Sequence, residues 1–195
     1  MSEELFNGKY KIKSTRLKNF DYSSNGAYFV TICTRNRKCY LGDIVNGKIK
    51  LSGIGEIVRN YWYEIPNHYK NVSLDEYIIM PNHVHGVIVI NHKSSVETPH
   101  WGVSTGIIDK TQIINNNRNP HHKPQWKPNS LGSIICQFKS IVTKRIRTIG
   151  YLNFAWQSRF YEHIIRNGHE LNRIREYIAN NPLQWELDKN NPFLS

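Results

Sequence analysis

Cysteine is scarce in this chain: Cys33, Cys39 and Cys136 are the only three among 195 residues. The number is odd and no Cys-x-x-Cys pair occurs. A disulfide framework and a cysteine-rich zinc module are therefore not expected, and a reducing, cytoplasmic compartment is. Long apolar runs are missing as well, since no stretch approaches the roughly 20 residues needed to cross a bilayer. The opening Met1-Ser2-Glu3-Glu4 has neither the basic start nor the apolar core of a signal peptide. No membrane partner is expected. Acidic residues are also few: 15 Asp and Glu stand against 26 Lys and Arg, a formal charge of +11. That excess predicts a polyanionic partner. Five Trp and eleven Tyr favour nucleic acid over an anionic membrane, because bases stack on aromatic rings. Internal repeats are absent.

What is present reads as one α+β domain. Residues 1–25 form a basic arm carrying Lys9, Lys11, Lys13, Arg16 and Lys18. Alternating β-formers over 27–34 predict a strand. Asn46-Gly47 within 40–51 predicts a hairpin. Ile54, Ile57, Val58, Tyr61, Trp62 and Ile65 fall at helical spacing, with Ser52 as N-cap and Pro66 as stop. Residues 74–80 and 83–90 predict two antiparallel strands around Pro81-Asn82. The stretch 91–128, with Asn115-Asn116-Asn117 and His121-His122, breaks the pattern and reads as a long mobile insertion. A basic amphipathic helix over 130–148, a strand over 160–166 and a helix over 170–181 complete the domain, which spans 26–185. Residues 186–195 read as a tail. With the hairpin and last helix set apart, the order is β-α-β-β-α-β: a ferredoxin-like antiparallel sheet with helices on one face.

The chemistry centres on His83 and His85. In a strand, residues i and i+2 share a face, so two imidazoles aim at one point and make half of a metal site. On the last helix Tyr177 and Asn181 are i and i+4 and share a face. Asn181 could offer an oxygen to a hard divalent ion such as Mg²⁺, and two imidazoles shift the preference toward Mn²⁺. Asn before Pro182 is equally a helix end, and Tyr161 rivals Tyr177. Lys139, Arg145, Trp156 and Arg159 are candidates for nucleic-acid contact. For each of them, solvent or core is the competing role.

His83-Val84-His85, following an apolar strand and Pro81, resembles the HUH motif of single-tyrosine HUH transposases. The run Trp156-Gln157-Ser158-Arg159-Phe160-Tyr161-Glu162-His163-Ile164-Ile165-Arg166 resembles the REP-associated tyrosine transposase (IS200-like) branch. So do Tyr177-Ile178-Ala179-Asn180-Asn181-Pro182, and Asp21-Tyr22 leading into Tyr28-Phe29-Val30-Thr31-Ile32-Cys33-Thr34. The resemblance covers most of 16–185 and leaves out 91–128. It implies a ferredoxin-like fold with Tyr177 as nucleophile on the helix after the last strand. His83, His85 and Asn181 would be the ligands of Mg²⁺ or Mn²⁺, the third being Gln in other branches. The implied activity is endonucleolytic cleavage and strand transfer of single-stranded DNA through a covalent 5′-phosphotyrosine. The implied substrate carries a hairpin near the cleavage site, and the protein acts as a monomer or homodimer. Two other readings compete. A non-catalytic single-strand-binding domain would carry aromatic RNP motifs on its strands and would not need His83, His85 and Tyr177 together. A replication- or relaxase-type HUH nickase would bring a longer chain or a third nearby histidine.

Overall fold

The structure is a computed structural model that describes residues 5–6, 9–10, 17, 20–92 and 127–193. Within the basic arm, Leu5–Phe6 (β1) pairs antiparallel with Lys9–Tyr10 (β2). Nearly all of the expected insertion lies outside the described residues.

The alternation over 27–34 forms Gly26–Cys33 (β3), the first strand of a four-stranded sheet. A hairpin follows, Gly42–Val45 (β4) with Lys48–Leu51 (β5), turning at Asn46-Gly47, both at positive φ. Left-handed backbone at both turn positions suits the right-handed twist of the flanking strands, which is why Asn-Gly sits there. The helix Gly53–Tyr63 (α1) starts where expected: the Ser52 side chain accepts from the Gly55 N–H. α1 ends at Tyr63, ahead of Pro66 as expected. Pro66 itself lies in the first turn of a short helix, Ile65–His68 (α2), where a missing N–H costs nothing.

Val72–Ile79 (β6) and His83–Ile90 (β7) form the expected hairpin. β6 begins two residues earlier than the sequence suggests, and its register slips between Leu74 and Tyr77. Leu131–Thr148 (α3), Tyr161–Ile165 (β8) and Gly168–Asn180 (α4) follow. α4 opens on the Asn167 side chain, which accepts from the Glu170 N–H. The chain then continues into a 3-10 helix, Asn181–Leu187. The expected tail is not loose: Asp188, Asn190 and Asn191 are buried.

The sheet order is β6-β7-β3-β8 with every pair antiparallel, so the ferredoxin-like arrangement holds. Strand alternation sorts side chains into two layers. Tyr28, Val30, Ile32, Val84 and Ile88 face α1 and α3, packing with Trp62, Ile134, Phe138, Val142 and Ile146. Burying each such aliphatic side chain fully stabilises the fold by roughly 1.5–3 kcal/mol. The opposite face carries Phe29, Val87 and Ile165 under Ile178 of α4. Gly86 lets the Trp62 indole lie against β7, since a Cβ there would sit 2.3 Å from Cζ2 of Trp62. No helix among the described residues is long and apolar enough to cross a membrane.

Candidate active site

Because β7 alternates, His83 and His85 emerge on the α4 side of the sheet, opposite Cys33 and Thr31 of β3. Both imidazoles are buried, and their Nε2 atoms lie 3.0 Å apart. His83 has a defined tautomer. The Asn82 amide nitrogen donates to the carbonyls of Arg37 (2.9 Å) and Asn190 (2.7 Å), so its oxygen faces Nδ1 of His83 at 2.8 Å. That oxygen can only accept, so the proton sits on Nδ1 and the Nε2 lone pair points into the site. His85 is held by Thr31, whose Oγ1 lies 2.9 Å from Nδ1, and by Phe29, stacked with ring centroids 5.3 Å apart. Burial keeps both rings neutral: the pKa of His83 is pushed down to about 3 and that of His85 falls well below its ordinary value.

With the lone pair of His83 Nε2 pointing inward, the 3.0 Å approach of His85 Nε2 calls for a proton or a cation between the two nitrogens. Asp188 completes the group. Its Oδ2 is 3.6 Å from Nε2 of His83, and the three ligand atoms all lie within 4.8 Å of one another. Oδ2 of Asp188 and Oδ1 of Asn181 are buried without a hydrogen-bond partner. Orphaned buried oxygens are costly, and a divalent cation satisfies them. The donor set of two imidazoles, a carboxylate and an amide oxygen fits a divalent metal ion.

The Tyr177 hydroxyl lies 3.2 Å from Nε2 of His85, and its ring packs edge-on to His85 and Phe29. Burial and the Asp188 carboxylate raise its pKa, while Asn181 lowers it. Tyr177 remains 41% exposed, open to a substrate. Tyr161 projects from β8 opposite Thr31 and touches Phe29 only at the ring edge, with centroids 6.3 Å apart. His163 of β8 pairs with Glu170 of α4 at 2.7 Å.

The sequence-derived residues His83, His85, Tyr177 and Asn181 thus meet in one place. Lys139 and Trp156 lie elsewhere, in a groove against α3. Arg145 and Arg159 are exposed and do not line that groove. Sequence reasoning missed Asp188, Asn82, Thr31 and Trp185, whose ring centroid is 6.1 Å from that of His83. Only Asn82, adjoining the histidine pair, carried a signal.

No family model matches the chain. A Haemophilus influenzae protein described as uncharacterized is 35% identical over 182 residues, covering 93% of this chain and 94% of that protein. Among solved structures, a REP-associated tyrosine transposase bound to a REP hairpin superposes with a TM-score of 0.54 at 18% identity, over 89% of this chain and 74% of that one. The fold is shared with that transposase.

Proposed function

From the premise that this chain belongs to one family with the Haemophilus influenzae protein, on the fold of a tyrosine transposase, we propose that it is a DNA strand transferase. It cleaves and rejoins single-stranded DNA through Tyr177. The observation that carries this reading is the meeting of Tyr177 with the buried His83, His85 and Asp188 cluster, 3.2 Å from hydroxyl to Nε2 of His85.

His83, His85, Asp188 and Asn181 would hold Mg²⁺ or Mn²⁺. The bound ion would polarise the scissile phosphate and offset charge developing on it. The protein's own residues do the rest. Asn82 and Thr31 fix the two imidazoles, and Phe29 packs against both His85 and Tyr177. α4 delivers the phenol from the exposed side. The Tyr177 oxygen forms a bond to phosphorus while the bond from phosphorus to the 3′-oxygen breaks. The phenolic proton is transferred, net, to the departing 3′-hydroxyl. The phosphoester linkage is conserved, so attack by a 3′-hydroxyl reverses the step without an external energy source.

The neighbouring transposase binds a DNA hairpin, which supports a hairpin close to the cleavage site here. Tyr177 reaches the histidine pair of its own chain, which supports use of the tyrosine in cis, in a monomer or a homodimer. All three cysteines are free, as suits a cytoplasmic protein.

The test is a denaturing gel after incubation with labelled single-stranded DNA and Mg²⁺ or Mn²⁺. A covalent DNA–protein adduct is expected, absent in Tyr177→Phe and retained in Tyr161→Phe. An adduct that persists in Tyr177→Phe would sink the assignment. Tight binding with no adduct under any metal would identify a non-catalytic single-strand-binding domain.

A further inference from the structure

Away from the histidine cluster, two open surface grooves adjoin. One, of about 780 Å³, runs along α3 and is lined by Lys139, Lys144 and Arg147 together with Ser140 and Thr143. The other, of about 720 Å³, is lined by Arg35, Asn36 and Arg37. Trp156, Gln157 and Ser158 belong to both, so the two form one channel. Among the described residues lining either, none is acidic. On α3 the lining positions recur at three- and four-residue steps, which makes a continuous polar face.

The turn at one end of this channel is unusual. Asn36 and Arg37 both hold left-handed backbone, with φ of 56° and 53°. Asn tolerates that region, whereas Arg seldom occupies it. Three contacts impose it: the Thr34 hydroxyl donates to the Lys38 carbonyl at 2.7 Å, the Arg37 N–H donates to the Thr34 carbonyl at 3.1 Å, and the Asn82 amide donates to the Arg37 carbonyl. Both arginine side chains are exposed. Through Asn82 the turn is bonded to the residue that orients His83, so the channel ends beside the candidate active site. Backbone strain held by surrounding contacts clusters where a ligand is gripped.

Resting on the strand-transfer reading above, we propose that this channel is the track for the single-stranded DNA arm leading to the scissile phosphate, with Arg35 and Arg37 as the phosphate clamp nearest the active site. Trp156 is only 6% exposed, so its ring is closed to base stacking. The track therefore reads phosphates and not bases. Binding there is salt-dependent and indifferent to sequence.

Fluorescence anisotropy of labelled single-stranded oligonucleotides, titrated across salt concentrations in EDTA, tests this. Arg35→Gln/Arg37→Gln and Lys144→Gln/Arg147→Gln are each expected to flatten the dependence of log K on log salt by about 0.7 per lost contact. Each should also weaken binding about tenfold at low salt. Lys48→Gln/Lys50→Gln, equal in charge loss but on the β4–β5 hairpin, serves as the control. Arg37→Gly removes the charge while relieving the backbone, and should match Arg37→Gln in binding. Groove variants with the salt slope of the control would overturn the proposal. So would an equal loss of affinity for a blunt hairpin lacking a single-stranded arm. Tyr177→Phe, which removes the adduct, should leave the salt slope intact. If the wild-type protein forms no adduct, the strand-transfer reading fails while the slope still reports on the channel.

Discussion

The guanidinium of Arg175 grips both carboxylate oxygens of Asp75, Nε to Oδ1 at 2.7 Å and Nη2 to Oδ2 at 2.6 Å. Arg175 lies two residues before Tyr177 on α4, and Asp75 lies where the register of β6 slips. The bidentate pair ties the tyrosine helix to its own sheet, with Asn172 as a further partner at 3.1 Å. Arg175 holds the carboxyl of Asp75 below the usual carboxylate range.

Such a tie is geometric, and Lys cannot replace a planar fork. Arg175→Lys and Asp75→Asn are expected to slow adduct formation by about ten- to hundredfold through misplacement of the phenol. Affinity for DNA and the circular-dichroism spectrum should not change. Single-turnover kinetics beside anisotropy measure both. A loss confined to DNA affinity would show that the pair serves binding instead.

Asp188 gives the second prediction. With its Oδ2 buried and unpartnered beside His83, its removal should weaken the response to Mn²⁺. In wild-type protein, Mn²⁺ should raise the melting temperature by mass action on the folded state. Asp188→Asn should shift the half-maximal Mn²⁺ concentration about ten- to hundredfold upward. His83→Ala/His85→Ala should abolish the response. A response unchanged in Asp188→Asn would assign the carboxylate to supporting His83 and not to holding the ion.

The histidine pair was legible because a strand has period two, and Tyr177 with Asn181 because a helix brings i and i+4 together. The ferredoxin-like order followed from the same two periodicities. Asp188 was not legible. It lies beyond Pro182 in the polar run Leu187-Asp188-Lys189-Asn190-Asn191, which has no period, and reaches the site only because the 3-10 helix turns the chain back beneath His83. The left-handed pair Asn36-Arg37 was equally hidden: Thr-Arg-Asn-Arg-Lys contains no glycine, and its conformation is imposed by Asn82 from another part of the chain. Pro66 marked the end of α1 but hid the short helix after it, because proline is tolerated in a helix's first turn.

Gly86 separates the histidine face from the Trp62 face of β7. Adding one methyl there would bring it to 2.3 Å from the indole, which is flanked by Tyr77 and Phe138 and has little room to retreat. Gly86→Ala is expected to destabilise by about 1–3 kcal/mol, the range of overpacked cores. Gly86→Ala/Trp62→Leu should recover part of the loss relative to Trp62→Leu alone. Urea denaturation of the four proteins measures the coupling, and additive effects would refute the contact.

Asp21 anchors the segment before β3 to that before α3: it accepts from Lys127 at 2.6 Å and from the Ser23 hydroxyl and N–H. These bonds, led by Lys127, lower its pKa to about 2. A carboxylate with a depressed folded pKa stabilises above its unfolded value near 3.9, and the benefit fades as pH falls through the folded value. Both partners are at least half exposed, so the pair is screened and is worth at most about 1 kcal/mol. Asp21→Asn should therefore melt slightly below wild type at pH 7, with the gap closing between about pH 4 and pH 2 and shrinking in high salt. A gap that persists at pH 2 would trace the loss to the amide's packing and not to the missing charge.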